Sequence, residues 1–156
     1  IKLKMLRKIY LKKILIIFFF LSLVSISSAE DIFLSLKKNK VNVRYGPGFE
    51  SPIKFFYKKI NLPIKQIDKK GNWRRIIDLK NNSGWIHRSQ LKTINSIIPI
   101  KDKILFNKPS RFSRPLAKIK KGRVLLIEKC EIKWCKVKTS KFRGWIKTGD
   151  IWGLVK

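Results

Sequence analysis

Apolar and polar positions change places at short range along most of this chain. Val41-Asn42-Val43 alternates with period two, and Val124-Leu125-Leu126-Ile127 and Lys136-Val137-Lys138 follow in looser form. That is the pattern of half-buried strands. Turn formers interrupt it about every 8–12 residues: Gly46-Pro47-Gly48, Pro63, Lys70-Gly71-Asn72, Asn81-Asn82-Ser83-Gly84, Pro109, Pro115, Gly122 and Gly144. No segment after residue 30 holds an i, i+3, i+4 apolar pattern over three turns. Many short strands with dense punctuation predict an all-β fold of small barrels or sandwiches.

The same design occurs twice. Trp73-Arg74-Arg75-Ile76 resembles Trp134-Cys135-Lys136-Val137 at an offset of 61, and Gly84-Trp85-Ile86 matches Gly144-Trp145-Ile146 at an offset of 60. Leu91 falls on Ile151, and Pro47 and Pro52 have counterparts in Pro109 and Pro115. A repeat of this period is read before anything else, because it sets the architecture. The expected organisation is a lead-in at 30–40, a first unit at 41–91, a linker at 92–103 and a second, diverged unit at 104–153. A unit of this size has a marginal core of its own, so packing between units or a covalent staple would help.

The first 29 residues read as an address. Lys2, Lys4, Arg7, Lys8, Lys12 and Lys13 form a basic region without acids, and Ile14 to Val24 is apolar apart from Ser22. Ser27 and Ala29 are small residues ahead of Glu30. This is the layout of a secretory signal peptide cut before Glu30. An uncleaved anchor is the alternative, although the apolar run is shorter than the ~20 residues of a bilayer span. Export implies a periplasmic or secreted protein. In an oxidising compartment Cys130 and Cys135 favour a disulfide. Their C-x4-C spacing suits a hairpin staple better than zinc, for which no second pair exists, or redox work, which favours C-x-x-C.

The residues also resemble a family. Val41-Asn42-Val43-Arg44-Tyr45-Gly46-Pro47-Gly48, followed by Ser51-Pro52, looks like the opening of a bacterial SH3-like domain with its V-N-V-R-x-G-P signature. Gly71-Asn72-Trp73, then Gly84-Trp85-Ile86 ahead of Leu91, is similar to the way such domains close. The second unit lacks the Gly-Pro-Gly loop, but Trp134 to Val137, Arg143 to Ile146 and Asp150-Ile151-Trp152-Gly153 resemble exported two-copy members. The resemblance covers nearly all of residues 41–153. It implies two tandem SH3-like barrels of five to six strands and a binding or targeting role in the cell envelope, and it implies no reaction.

On strict alternation Trp73 faces away from Ile76, and Trp134 away from Val137. If Ile76 and Val137 point inward, both Trp lie outside, beside the Gly/Pro loops. In eukaryotic SH3 domains a Trp at about that place lines a groove for extended peptides. Trp73 with Tyr45, and Trp134 with Phe112, are therefore candidate ligand platforms; the alternative is that these rings cover a core edge or pack between barrels. Gly46 and Gly48 suit a tight loop with φ > 0. Gly84 and Gly144 suit a close approach to a neighbouring strand. Trp85 and Trp145 are read as structural core residues.

Charge changes the picture least. The 156 residues hold 38 Lys plus Arg against 9 Asp plus Glu, a formal +29. Six of those cations precede residue 30, so removing them from 38 leaves 32 against nine acids, a net +23 on 127 residues. With 29 Lys, 24 Ile and 8 Asn, much of the balance follows AT-rich codon usage; selection for phosphate binding would raise Arg. Clusters such as Lys58-Lys59, Lys69-Lys70 and Lys118 to Arg123 read as solvated turns. His87 stands alone, and no nucleophile–base or metal set can be assembled, so neither enzyme nor cofactor is expected. The leading reading is a non-catalytic envelope module that recognises a peptide or peptidoglycan component. A structural adaptor for another envelope protein comes next, and a binder of anionic polymer, lipid or nucleic acid last.

Overall fold

The computed structural model describes residues 31–153; the signal peptide expected at 1–29 and its cut before Glu30 lie outside the described residues. Fourteen strands form two antiparallel sheets of seven, without an α-helix among the described residues. In the first sheet the strands are β1 (Ile32–Leu36), β2 (Val41–Arg44), β3 (Ile53–Tyr57), β4 (Pro63–Lys70), β5 (Trp73–Ile77), β6 (Ser83–His87) and β7 (Leu91–Thr93), with a 3-10 turn at Arg88–Gln90. The second consists of β8 (Ser96–Pro99), β9 (Lys103–Phe106), β10 (Pro115–Ile119), β11 (Leu125–Glu131), β12 (Trp134–Lys138), β13 (Arg143–Lys147) and β14 (Ile151–Trp152). The order β3-β2-β6-β5-β4-β1-β7 in one is repeated as β10-β9-β13-β12-β11-β8-β14 in the other. These are two tandem SH3-like barrels.

Alternation sets the cores. Leu36, Val41, Val43, Ile64, Ile76, Ile86 and Leu91 fill the first barrel. Ile97, Leu105, Ile119, Leu125, Cys135, Val137 and Ile146 fill the second. Gly84 lies where an added Cβ would stand 2.9 Å from the Arg44 carbonyl oxygen and 2.5 Å from a Val43 methyl. At Gly144 the same atom would stand 2.6 Å from the Phe106 carbonyl oxygen. Both glycines let the third sheet position press against the second, since no side chain intervenes. Cys130 and Cys135 are opposed residues of the β11–β12 hairpin and form a disulfide across a Cα–Cα distance of 4.1 Å.

Two segments without strong patterning turn out to join the barrels. The lead-in carries β1, which pairs with β4 and β7. The stretch read as a linker holds β8, all four of whose residues are buried. Ile97 enters the second core, while Ser96 and Ile98 face the other way. A buried hydrogen-bond chain runs through this junction. The Asn95 N–H donates to Ser35 Oγ at 3.2 Å, Ser35 Oγ lies 3.0 Å from Ser96 Oγ, and Ser96 Oγ donates to the Asn61 carbonyl. Trp152 completes the joint: its Nε1–H donates to the Pro63 carbonyl at 2.9 Å, and its ring meets Phe33 edge-on at 5.0 Å. Burying these otherwise outward faces offsets the small size of each core.

Candidate functional site

Register fixes what the outer face of the first barrel displays. Arg44 opposes Trp85, Trp85 opposes Arg75, and His87 opposes Trp73, so these side chains share one surface. The opposite faces of the same strands carry Val43, Ile76 and Ile86 into the core. Trp73 is thus outside, as alternation requires, but a loop residue covers it. Phe49, carried by the β2–β3 loop, stands edge-on to Trp73 with ring centroids 5.0 Å apart. His87 lies 5.3 Å from each of the two rings. Its Nδ1 sits 2.8 Å from Ser89 Oγ, which ties the ring to the 3-10 turn. Beside this cluster opens a cleft of about 280 Å³, to which Lys40, Asn42, Arg44 and Gln90 add polar walls.

Arg44 divides this cleft from a second recess of about 330 Å³, lined by Tyr45, Lys54, Arg75 and Trp85. Tyr45 therefore does not join Trp73. It is exposed, with the Lys54 ammonium 5.5 Å from its ring. The arginine itself is held in place: Nη1 donates to the Ser51 carbonyl at 2.6 Å, and the guanidinium lies 6.0 Å from the Phe49 ring. Trp85 is half-buried on this outer surface and belongs to neither core cluster. Gly46 and Gly48 are absent from the positive-φ glycines, which are Gly71, Gly122 and Gly153. The loop reversal is made without left-handed backbone at either position.

The second barrel presents a different surface at the same place. Trp134 meets Phe106 edge-on at 5.8 Å, and the recess of about 270 Å³ beside them includes Lys103, Ile104, Arg111 and Lys147. Phe112 stands fully exposed at 102 % and lines no part of it; Phe106 holds the place expected for Phe112. Burial pushes the Lys103 ammonium below its usual range, against the opposing pull of Asp150. Trp145 is buried on the outer side, its ring 4.9 Å from Lys129 Nζ, and is not part of the second core cluster.

Electrostatics separate the barrels further. Of the seven ion pairs among the described residues, only Lys65–Asp31 lies in the first barrel. Asp102 illustrates the second barrel's pairing: the Lys121 backbone N–H, then Lys120 and Lys118, hold its carboxyl below the usual range. On the first barrel Lys40, Arg44, Lys54, Lys58 and Arg75 have no acid partner among the described residues. Several rest on rings instead, Lys40 and Lys58 at 5.1 and 5.2 Å from Phe56. Such an unpaired cation beside an aromatic surface is available to a ligand anion.

Sequence reasoning missed Phe49 and Phe106 and set His87 aside. The cross-strand position of His87 opposite Trp73 was open to inference once the β5–β6 hairpin was paired. Phe49 left no periodic signal. Among the described residues no helix is long and apolar enough to cross a membrane.

Comparison with known proteins bears on the fold. No curated protein matches the chain. Among solved structures, NlpC2 from Trichomonas vaginalis aligns at 11 % identity and a TM-score of 0.37 over 81 % of this chain and 49 % of its own. NlpC1 from the same organism aligns at 12 % identity and a TM-score of 0.36 over 80 % of this chain and 47 % of its own. The chain spans about half the length of each. The model of the bacterial SH3 domain family matches residues 37–92 and again residues 102–153. By that double match the chain belongs to the bacterial SH3 domain family, a family of binding domains.

Proposed function

We propose that the protein is a non-catalytic, exported module of the cell envelope that binds a peptide or peptidoglycan component through the outer face of its first barrel. The observation that carries this reading is the Phe49–Trp73–His87 cluster beside Arg44 and Lys40, cations that have no acid partner among the described residues. Aromatic faces take up the apolar side of a sugar or side chain, and the cations take carboxylates. Family membership supports binding. The basic, apolar and small-residue layout of 1–29 and the Cys130–Cys135 disulfide support an oxidising, extracytoplasmic site. Trp73 and Phe49 are the anchors, Arg44 the anion contact, and Tyr45 a flanking contact in the next recess.

The test is sedimentation of the protein with purified peptidoglycan at low and moderate salt. Phe49→Ala leaves the cores untouched and is expected to weaken binding by about tenfold or more, as central aromatic anchors do. Phe106→Ala, at the corresponding place in the second barrel, is expected to leave it unchanged. Binding abolished by modest salt and indifferent to Phe49→Ala would reduce the interaction to bulk charge.

A further inference from the structure

A second surface lies at the junction of the barrels, away from the outer-face clefts. β3 is an edge strand: it pairs with β2 and with no other strand among the described residues. Beside it runs the largest of the described cavities, about 460 Å³, whose walls are Phe55, Tyr57, Leu62 and Leu79 from the first barrel and Ile98 from the second. Lys59 and Lys80 stand on its rim. Asp78, the acid of this wall, is engaged within the fold. It accepts from Tyr57 Oη at 3.1 Å, from the backbone N–H of Lys80 at 2.8 Å and from Asn82 through both its N–H at 2.9 Å and its Nδ2 at 2.9 Å. Leu79 stays 38 % exposed and Phe56 45 % exposed.

Sheet edges are ordinarily kept from pairing by being short, by proline or by charge. The other three edges follow that rule. β7 has three residues and β14 two. β10 opens on Pro115, which has no N–H, and its Lys118 is paired with Asp102 at 3.4 Å. β3 has five residues without proline; Lys54 and Lys58, on and beside it, have no acid partner among the described residues, so their charge turns away neutral and basic strands and leaves the edge open to an acidic one. An open main-chain edge, an apolar trough alongside it and lysines on the opposite face together match one kind of occupant. We infer that β3 accepts an extended peptide in which acidic and apolar residues alternate, added as an eighth strand. Its main chain pairs with β3, alternate apolar side chains enter the trough beside Phe55 and Tyr57, and the acids, on the opposite face, meet Lys54 and Lys58. The site would make the protein an acceptor for an acidic extended segment of another protein, whether or not the Phe49 face binds the wall.

The experiment titrates the full protein with the synthetic peptide acetyl-Glu-Val-Glu-Phe-Glu-Val-amide, followed by amide NMR and hydrogen exchange. Binding is expected to shift and protect the amides of residues 53–59. The same peptide N-methylated at alternate residues keeps its side chains but loses one row of N–H donors, and is expected not to bind. Leu79→Glu is expected to weaken binding at least about tenfold by placing a like charge in the trough, and Lys58→Glu, a surface change that spares the fold, by several-fold. Ile132→Ser, at an exposed residue of the β11–β12 turn, is expected to leave peptide binding unchanged. The inference is overturned if the peptide does not bind, if the N-methylated form binds equally well, if the shifts fall around Phe49 instead, or if sedimentation shows the edge occupied by a second copy of the chain.

Discussion

The two barrels share a core and differ on their surfaces. Val43, Ile64, Ile76 and Ile86 in the first are matched by Leu105, Leu125, Val137 and Ile146 in the second. Gly84 and Gly144 meet the same backbone in both. Yet Arg44 opposite Trp85 is replaced by Phe106 opposite Trp145, and His87 opposite Trp73 by Lys147 opposite Trp134. The first surface is a three-ring cluster of Phe49, Trp73 and His87 beside Arg44 and Lys40, whereas the second has the Phe106–Trp134 pair beside Lys103, Arg111 and Lys147; none of these cations has an acid partner among the described residues. Core positions repeat because either barrel must exclude water in the same way. Outer positions are free to diverge, and here they do: under the proposed function the first barrel carries the binding surface.

That contrast can be broken from the inside first. Ile86→Ala and Ile146→Ala each delete a fully buried side chain, at a cost of about 2–5 kcal/mol. If the junction makes one cooperative body, either substitution shifts a single unfolding transition by a similar amount in chemical denaturation. Two separated transitions, each sensitive to only one substitution, would show that the barrels unfold apart. The staple comes next. Cys130→Ser with Cys135→Ser should cost about 2 kcal/mol for so short a loop. The loss should be traced by hydrogen exchange to β11 and β12, with β4 and β5 of the first barrel unaffected.

The smallest effect is a difference in alkali. The Tyr57 hydroxyl is held well above the ordinary phenol value by burial first, then by the charge of Asp78 and the hydrogen bond to it. A raised folded-state value means that the folded protein keeps the proton which the unfolded chain releases at about pH 10. This contribution is complete below that pH and is lost as pH rises beyond it. Ile119, which pairs with Lys103 as Tyr57 pairs with Val41, gives the second barrel no such group. Tyr57→Phe should therefore cost about 1 kcal/mol at neutral pH, from the lost hydrogen bond, and flatten the stability profile between pH 10 and 11. Thermal melts across that range check both signs.

The strands and the doubling were legible because burial enforces alternation and because turns need glycine, proline or asparagine at fixed places. Trp73 could be placed outside by counting from Ile76. Its neighbours could not be found by counting. Phe49 sits in an irregular loop, where direction follows from the backbone path and not from period two, so Tyr45, two residues past the strand pattern, looked the better partner. Phe112 was misplaced for the same reason. Trp85 and Trp145 looked like core because they are large and flanked by Gly and Ile; the register puts the Ile inward and the Trp on the opposite face, where Trp145 is buried as expected and Trp85 is only half-buried. β8 escaped notice because a strand buried on both faces, Ser-Ile-Ile-Pro, has no polar beat to mark it.

The placement of Trp152 ties the order of synthesis to the order of assembly. β1 cannot find β7 until residue 93 has been made, and the Pro63 carbonyl receives its indole partner only when residue 152 follows. A chain that has passed Ile98 but not reached Trp152 lacks the ring that meets Phe33 and the strand partner of Ile98, an apolar patch of the kind that aggregation and quality-control proteases act upon. Through Trp152, β14 shelters residues of the first barrel as well as closing the second, so the shelter of Phe33 and Ile98 waits on a residue more than fifty positions further along the chain.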